Sequence, residues 1–174
     1  MAIAFLSLGS NIEPSKNIFE AVRLLSGHVK VLKSSRVYLT EPLLRRHQPA
    51  YWNCVIEIET SIEPGKLKSE VLKATEEELG RKRTEDKYTP RTIDIDLIVY
   101  GQQRLSTRDL TIPDPEIRER SFLAVPLCEI EPNLLLPDTN EPIKKTAKKL
   151  KREKMIELRH ATMALEELIR SLAK

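Results

Sequence analysis

The chain has 174 residues, 40% of them hydrophobic and 32% charged, with a formal net charge of +3. This suits one globular domain with a real core and argues against disorder, and no apolar run reaches the ~18 residues of a membrane helix. Cys54 and Cys128 lie far apart and His28, His47 and His160 are isolated, so neither a disulfide framework nor a thiolate or histidine metal site is expected.

The charge is unevenly spread. Residues 141–174 hold ten Lys/Arg and five Glu, which leaves 19 basic and 21 acidic side chains in residues 1–140. The basic balance belongs to the tail and says little about the main body. The opening Met1-Ala2-Ile3-Ala4-Phe5-Leu6 lacks a basic region and a cleavage site, so the cytoplasm is the expected compartment.

Ile3 to Leu8 reads as a buried strand ended by Gly9-Ser10-Asn11. Ser15 is placed to cap a helix over about 16–26, with Ile18, Ala21, Val22 and Leu25 on one face. Val29 to Leu39 reads as one strand, and Thr40 to Ala50 as an irregular loop. From Asn53 to Thr60 the chain alternates, with Cys54, Ile56 and Ile58 opposed to Val55, Glu57 and Glu59. A helix follows over about 66–79, with Leu67, Val71, Leu72, Thr75 and Leu79 near one stripe and Gly80 as its stop. Thr92 to Tyr100 is a further strand, and Pro113-Asp114-Pro115 opens a short helix around 116–122. Pro126 leads into an irregular Pro-rich segment ending near Asp138. Beyond Pro142 the spacing of Ala161, Leu165, Leu168 and Leu172 predicts a helix or helical pair that packs on the body or, as the alternative, on a partner. The order β-α-β-β-α-β predicts an α+β fold, a ferredoxin-like sandwich with an antiparallel sheet plus a C-terminal helical extension. The expected division is a catalytic domain over 1–140 and a basic helical extension over 141–174.

The most informative stretch is Pro90-Arg91-Thr92-Ile93-Asp94-Ile95-Asp96-Leu97-Ile98-Val99-Tyr100. Alternation puts Ile93, Ile95, Leu97 and Val99 on one face, and Asp94 and Asp96 on the other with Cα atoms roughly 6.5–7 Å apart. Aspartate is disfavoured in strands, and two carboxylates on one face repel. Taken alone, the pair favours a solvated sheet face. Its neighbours shift the balance. Arg81, Lys82, Arg83, Lys87 and Arg91 lie within one eleven-residue span just before it. Cations beside a carboxylate pair suit Mg²⁺, which binds through few carboxylates plus water and phosphate oxygens, and two such ions can clamp a polyphosphate. Neither a Walker motif nor GxGxxG occurs, so any nucleotide site must be built from side chains and metal. Aromatic residues make up only 5%. Tyr51-Trp52-Asn53 and Phe122 therefore stand out as rings and an amide able to hold a flat heterocycle, with burial in the core as the bland alternative.

Together these segments resemble the 6-hydroxymethyl-7,8-dihydropterin pyrophosphokinase family. The resemblance covers about residues 3–138. It rests on Leu8-Gly9-Ser10-Asn11, Tyr38-Leu39-Thr40-Glu41-Pro42, Gln48-Pro49-Ala50-Tyr51-Trp52-Asn53, Leu79-Gly80-Arg81-Lys82-Arg83, the stretch from Pro90 to Asp96, and Ile112-Pro113 through Arg120-Ser121-Phe122. It implies transfer of pyrophosphate from ATP to the pterin alcohol, with AMP leaving. Asp94 and Asp96 would hold two Mg²⁺ ions. Arg81 and Arg91 would sit nearest the transferred group, with Arg83 also on phosphate. Lys87 and Tyr88 would lie on a closing loop, and Glu76, Thr111 and Arg120 would meet nucleotide. Tyr51 and Phe122 would sandwich the pterin, and Asn53 would read its edge with help from backbone around Thr40 and Leu43.

Three positions depart from the family pattern: Thr89 where glycine is usual, Asp114 where histidine is usual, and Lys87 where arginine is more frequent. Asp114 sets up the expectation of weaker ATP binding or altered local geometry, without loss of activity. The rival reading is a non-catalytic nucleotide- or RNA-binding module, which the Asp pair opposes because carboxylates repel a phosphate backbone. The expected partners are ATP and the pterin, with no nucleic acid and no membrane. The chain is expected to be a monomer or a weak homo-oligomer through the C-terminal helix.

Overall fold

β1 (Ala2–Ser10) forms the spine of the sheet, flanked by β4 (Tyr51–Thr60) on one side and β5 (Asp94–Tyr100) on the other, both antiparallel. The computed structural model describes residues 1–42, 47–82, 89–150 and 154–173. β1 is buried on both faces, as its continuous apolar run predicts: Ala4, Leu6 and Leu8 enter one core and Phe5 the other.

The far edge of β4 carries β2 (Lys30–Ser34) and β3 (Tyr38–Thr40) in succession, so the strand expected over 29–39 is broken in two. Ser35 causes the break. Its N–H donates to Val55 O at 2.8 Å and its hydroxyl accepts from Val55 N–H at 2.9 Å, a side chain replacing one rung of the ladder. The order β5-β1-β4-β2 is that of a ferredoxin-like βαββαβ sheet.

α1 (Pro14–Ser26) begins at Pro14, whose fixed φ suits a first turn. Ser15 lies inside the helix and does not cap it; the N-cap is Glu13, in a left-handed conformation. The second helical stretch joins α2 (Pro64–Lys66), a π-helical segment (Leu67–Leu72) and α3 (Lys73–Glu78). It buries Leu67, Val71, Leu72 and Thr75 as the stripe predicts. Gly80, at φ +76°, closes it. The Gly80 N–H reaches Glu77 O and the Arg81 N–H reaches Glu76 O, the paired bonds of a Schellman motif. α1 and α3 pack on one face of the sheet.

The other face is covered by α4 (Ser121–Ile130) and α5 (Ile143–Leu150). The irregular segment expected from Pro126 is wrong at its start, because α4 runs through Pro126. An interior proline costs about 3 kcal/mol. Leu123, Ala124, Leu127 and Ile130 all bury in the second core, and each fully buried Leu or Ile contributes about 1.5–3 kcal/mol, enough to outweigh it.

β5 also departs from simple alternation. Phe5 pairs with Val99 and Leu6 with Leu97, so Ile98 is an extra residue, a β-bulge. Ile98 and Val99 both enter the second core, and Val99 does not share a face with Ile95 and Leu97 as expected.

The C-terminal segment packs on both faces. α5 sets Ile143 and Ala147 against α4, β6 (Ile156–Glu157) pairs with β3 at the sheet edge, and α6 (Arg159–Leu172) buries Leu165 and Ile169 in the first core. The expected stripe is rotated: Thr162 turns inward to accept the Val37 N–H at 2.9 Å, while Leu172 stays exposed.

Candidate active site

A cavity of about 560 Å³ opens on the second-core face, beyond the N-terminal end of α4. Gly9 is among the residues that line it. In β1 this residue pairs with Asn53 of β4 on one side and Asp94 of β5 on the other, and Ser7 pairs with Asp96. The amide and the carboxylates therefore project from neighbouring strands on either side of a residue that has no side chain. A Cβ on Gly9 would lie 3.0 Å from Asn53 Oδ1, so the close approach of that amide requires glycine here.

On the β4 side, Tyr51, Asn53, Thr40 and Phe122 line the cavity. The Asn53 amide donates to Thr40 Oγ1 at 2.7 Å, which fixes its plane. Tyr51 and Phe122 are half-buried, not sealed in the core. Burial raises the Tyr51 hydroxyl pKa, so it stays protonated. Trp52, on the opposite side of β4, packs against the first core.

On the β5 side, Asp94 accepts from both Arg81 and Arg91. Arg81 also donates to Glu76, whose Oε1 accepts the Ile95 N–H at 2.8 Å. The Schellman turn after α3 brings Arg81 back to this point. Burial works against the Arg81 charge, but Asp94 and Glu76 outweigh it and hold its pKa above the usual value. Glu76 is only 3% exposed and is not among the residues lining the cavity; it faces Arg81 and the β5 backbone. Among the described residues no Arg or Lys bonds to Asp96 in this way. Burial first, then Asp94, Asp114 and Glu76, push its pKa up to about 7, with Lys68 acting in the opposite direction. This is the signature of a carboxylate short of positive charge.

Asp114, Thr111 and Arg120 line the same cavity. The Asp114 N–H is tied to Ile98 O at 2.8 Å and its carboxylate caps the Glu116 N–H at 2.8 Å. Burial raises the Asp114 pKa against that bond and against Lys68. Lys68, in the π-helical turn, also lines the cavity and donates to Asp109 O at 2.6 Å. No pattern in the sequence marks Lys68, because a lysine in an amphipathic helix normally faces solvent. Leu43, Arg83, Lys87 and Tyr88 lie outside the described residues. The other candidate residues converge on one cavity or, for Arg81 and Glu76, on the side chains and backbone that line it.

Among the described residues no group of three or more His, Cys, Asp or Glu side chains is arranged to hold a metal ion alone. Asp94 and Asp96, alternate on one strand, suit an ion that takes few protein carboxylates and completes its shell with water and phosphate. Among the described residues, three cations (Lys68, Arg91, Arg120) and five carboxylates (Glu41, Asp94, Asp96, Asp114, Glu116) line the cavity.

The 7,8-dihydro-6-hydroxymethylpterin-pyrophosphokinase profile matches residues 5–132. A 2-amino-4-hydroxy-6-hydroxymethyldihydropteridine pyrophosphokinase of Haemophilus influenzae is 35% identical over 161 residues, covering 91% of this chain and 99% of the relative. The enzyme of the same name in Bacillus subtilis is 39% identical over 131 residues, covering 74% of this chain and 77% of the relative. The folic acid synthesis protein fol1 of Pneumocystis carinii is 40% identical over 137 residues, 78% of this chain but only 18% of that longer protein. The crystal structure of wild-type Plasmodium falciparum HPPK-DHPS shares the fold at a TM-score of 0.68 with 14% identity, over 85% of this chain and 41% of the other. The chain thus spans most of its bacterial relatives and a small part of the fol1 protein. With the profile covering most of the chain and a bacterial relative matched almost end to end, this chain belongs to the 7,8-dihydro-6-hydroxymethylpterin-pyrophosphokinase family.

Proposed function

We propose that this chain transfers a pyrophosphoryl group from ATP to 6-hydroxymethyl-7,8-dihydropterin, giving the pterin diphosphate and AMP. The observation that carries the reading is the placement of Asn53 and Asp94 on either side of Gly9. It sets a slot for a flat heterocycle directly beside a carboxylate pair suited to metal-bound polyphosphate. The five carboxylates among the described lining residues disfavour an RNA backbone.

In this reading the pterin ring lies between Tyr51 and Phe122. The Asn53 amide, oriented by Thr40, hydrogen-bonds its edge with backbone near Leu43. The pterin hydroxymethyl oxygen attacks the β-phosphorus, the bond from that phosphorus to the α-phosphate bridging oxygen breaks, AMP departs and the hydroxyl proton is released. Asp94 and Asp96 would hold two Mg²⁺ ions, which supply charge neutralisation for the phosphates. Arg81 and Arg91, both bonded to Asp94, are placed to turn to phosphate oxygens once that carboxylate is engaged elsewhere. Arg83, Lys87 and Tyr88 would add contacts from 83–88, and Thr111 and Arg120 would meet the nucleotide. Glu76 acts through Arg81.

The cytoplasm is the proposed compartment, in keeping with Cys54 and Cys128 being free thiols. Leu165 and Ile169 of α6 are used inside the core, which supports a monomer or weak association only. The deciding experiment incubates the protein with ATP, Mg²⁺ and hydroxymethyl-dihydropterin and measures AMP. Pterin-dependent AMP formation is expected, and its absence with intact fold would overturn the reading.

A further inference from the structure

The Gly9-Ser10-Asn11 turn has a second part that the reaction scheme leaves unused. Asn11 is 3% exposed and lies between the two halves of the site. Its Oδ1 accepts the Arg91 N–H at 2.7 Å. Its own N–H and that of Ile12 donate to Arg91 O at 3.1 and 3.2 Å. Its Nδ2 donates the other way, to Pro49 O at 3.2 Å and to Gln48 Oε1 at 3.4 Å. One amide thus ties the lead-in to β5, which carries Arg91 and Asp94, to the lead-in to β4, which carries Tyr51 and Asn53.

We infer that Asn11 is a positioning residue that sets the distance between the pterin slot and the phosphate site without touching either substrate. The inference rests on the proposed pyrophosphoryl transfer. The physical ground is that attack on phosphorus needs the oxygen in line and within near-attack distance, so a misplacement of about 1 Å costs on the order of a hundredfold in rate. The two lead-ins belong to strands separated by β1. The strand ladders fix Asn53 and Asp94 relative to Gly9, but Arg91 and Pro49 precede the strands, beyond the reach of the ladder. Asn11 supplies their link with side-chain bonds in both directions. Each half keeps its own contacts when Asn11 is lost: Arg91 stays bonded to Asp94, and Asn53 to Thr40. Binding of each substrate therefore survives while their alignment does not.

The test uses the full chain with Asn11→Ala, Asn11→Asp and, as a control of comparable burial, Thr162→Val, which strands the Val37 N–H at the sheet edge. The readouts are steady-state AMP formation, KM for each substrate, and calorimetric Kd for a non-hydrolysable ATP analogue with Mg²⁺. Asn11→Ala is expected to lower kcat by about a hundredfold, with KM and Kd within about threefold, while Thr162→Val keeps wild-type kcat. Asn11→Asp retains the acceptor for Arg91 and loses the donor to Pro49, so its kcat should fall between the two; it carries the test if the alanine variant does not fold. Unchanged kcat in the Asn11 variants overturns the inference. So does a loss that appears in KM or Kd, or one matched by Thr162→Val. A wild-type protein that forms no AMP would overturn the function reading itself, whereas an active wild type with unaffected Asn11 variants overturns only the role of Asn11.

Discussion

Gly9→Ala is the sharpest probe of the two-sided site. The added methyl would sit 3.0 Å from Asn53 Oδ1, inside normal van der Waals separation, so the amide must give way by a few tenths of an ångström. That amide is held by its 2.7 Å bond to Thr40 Oγ1. Displacing it forfeits about 0.5–1.5 kcal/mol of hydrogen bonding. Overpacking adds about 1 kcal/mol or more. The sum, roughly 1.5–2.5 kcal/mol, corresponds to a weakening of pterin binding of about ten- to seventyfold by those same terms. No Asp94 atom is among the close contacts of the new methyl, so the nucleotide side is expected to be spared. Calorimetry with the pterin in the presence of Mg²⁺ and a non-hydrolysable ATP analogue, and with the analogue alone, separates the two. Pterin affinity within twofold of wild type would refute the reasoning, as would an equal loss on the nucleotide side.

Asp96→Ala removes one of the proposed metal ligands and should lower AMP formation by several orders of magnitude with the far-UV spectrum intact; near-normal turnover would contradict that role. The same carboxylate links pH to stability. Its folded pKa, pushed up to about 7, exceeds the unfolded value, so the metal-free protein loses stability as pH rises from about 4 through 7, by as much as about 4 kcal/mol in all. Urea melts at pH 5 and pH 8 should show this loss in wild type and a smaller one in Asp96→Asn. Equal pH dependence in both proteins would count against it. Asp114→His should tighten binding of an ATP analogue by about tenfold, because it replaces a carboxylate in the cavity by a neutral or cationic ring; unchanged affinity would sink the idea that Asp114 opposes the phosphates. Leu165→Ala should cost about 2–5 kcal/mol in chemical denaturation if α6 belongs to the core, and a loss below about 1 kcal/mol would show the tail to be an appendage.

Much of this architecture is written locally. The runs and alternations of β1, β4 and the start of β5 name their own buried faces, and Gly80 marks the end of its helix, because period and stop signals depend only on near neighbours. What the sequence conceals depends on partners distant in the chain. Val99 changes sides because β5 carries one more residue than β1 across the pair, and a bulge is a property of two strands. Ser35 breaks a strand only because Val55 stands opposite it. Pro126 is tolerated inside α4 because the second core, assembled from β1, β4, β5 and α5, holds its neighbours.

The site divides the same way. Asp94, Asp96, Arg81, Arg91, Tyr51 and Asn53 are visible because their residue types are costly or scarce where they occur. Lys68 is hidden, since a lysine in a helix stripe needs no explanation until Asp96 and Asp114 are found near it. Read alone, a carboxylate where the family usually has histidine predicts repulsion of the nucleotide. In the structure Lys68 works against the raised pKa of both Asp114 and Asp96, so the departure is partly offset within the same cavity. Removing Lys68 should therefore harm ATP binding more when Asp114 is present than after Asp114→His. If the two losses were equal in a double-mutant cycle, lysine and aspartate would act independently and the offset would not exist.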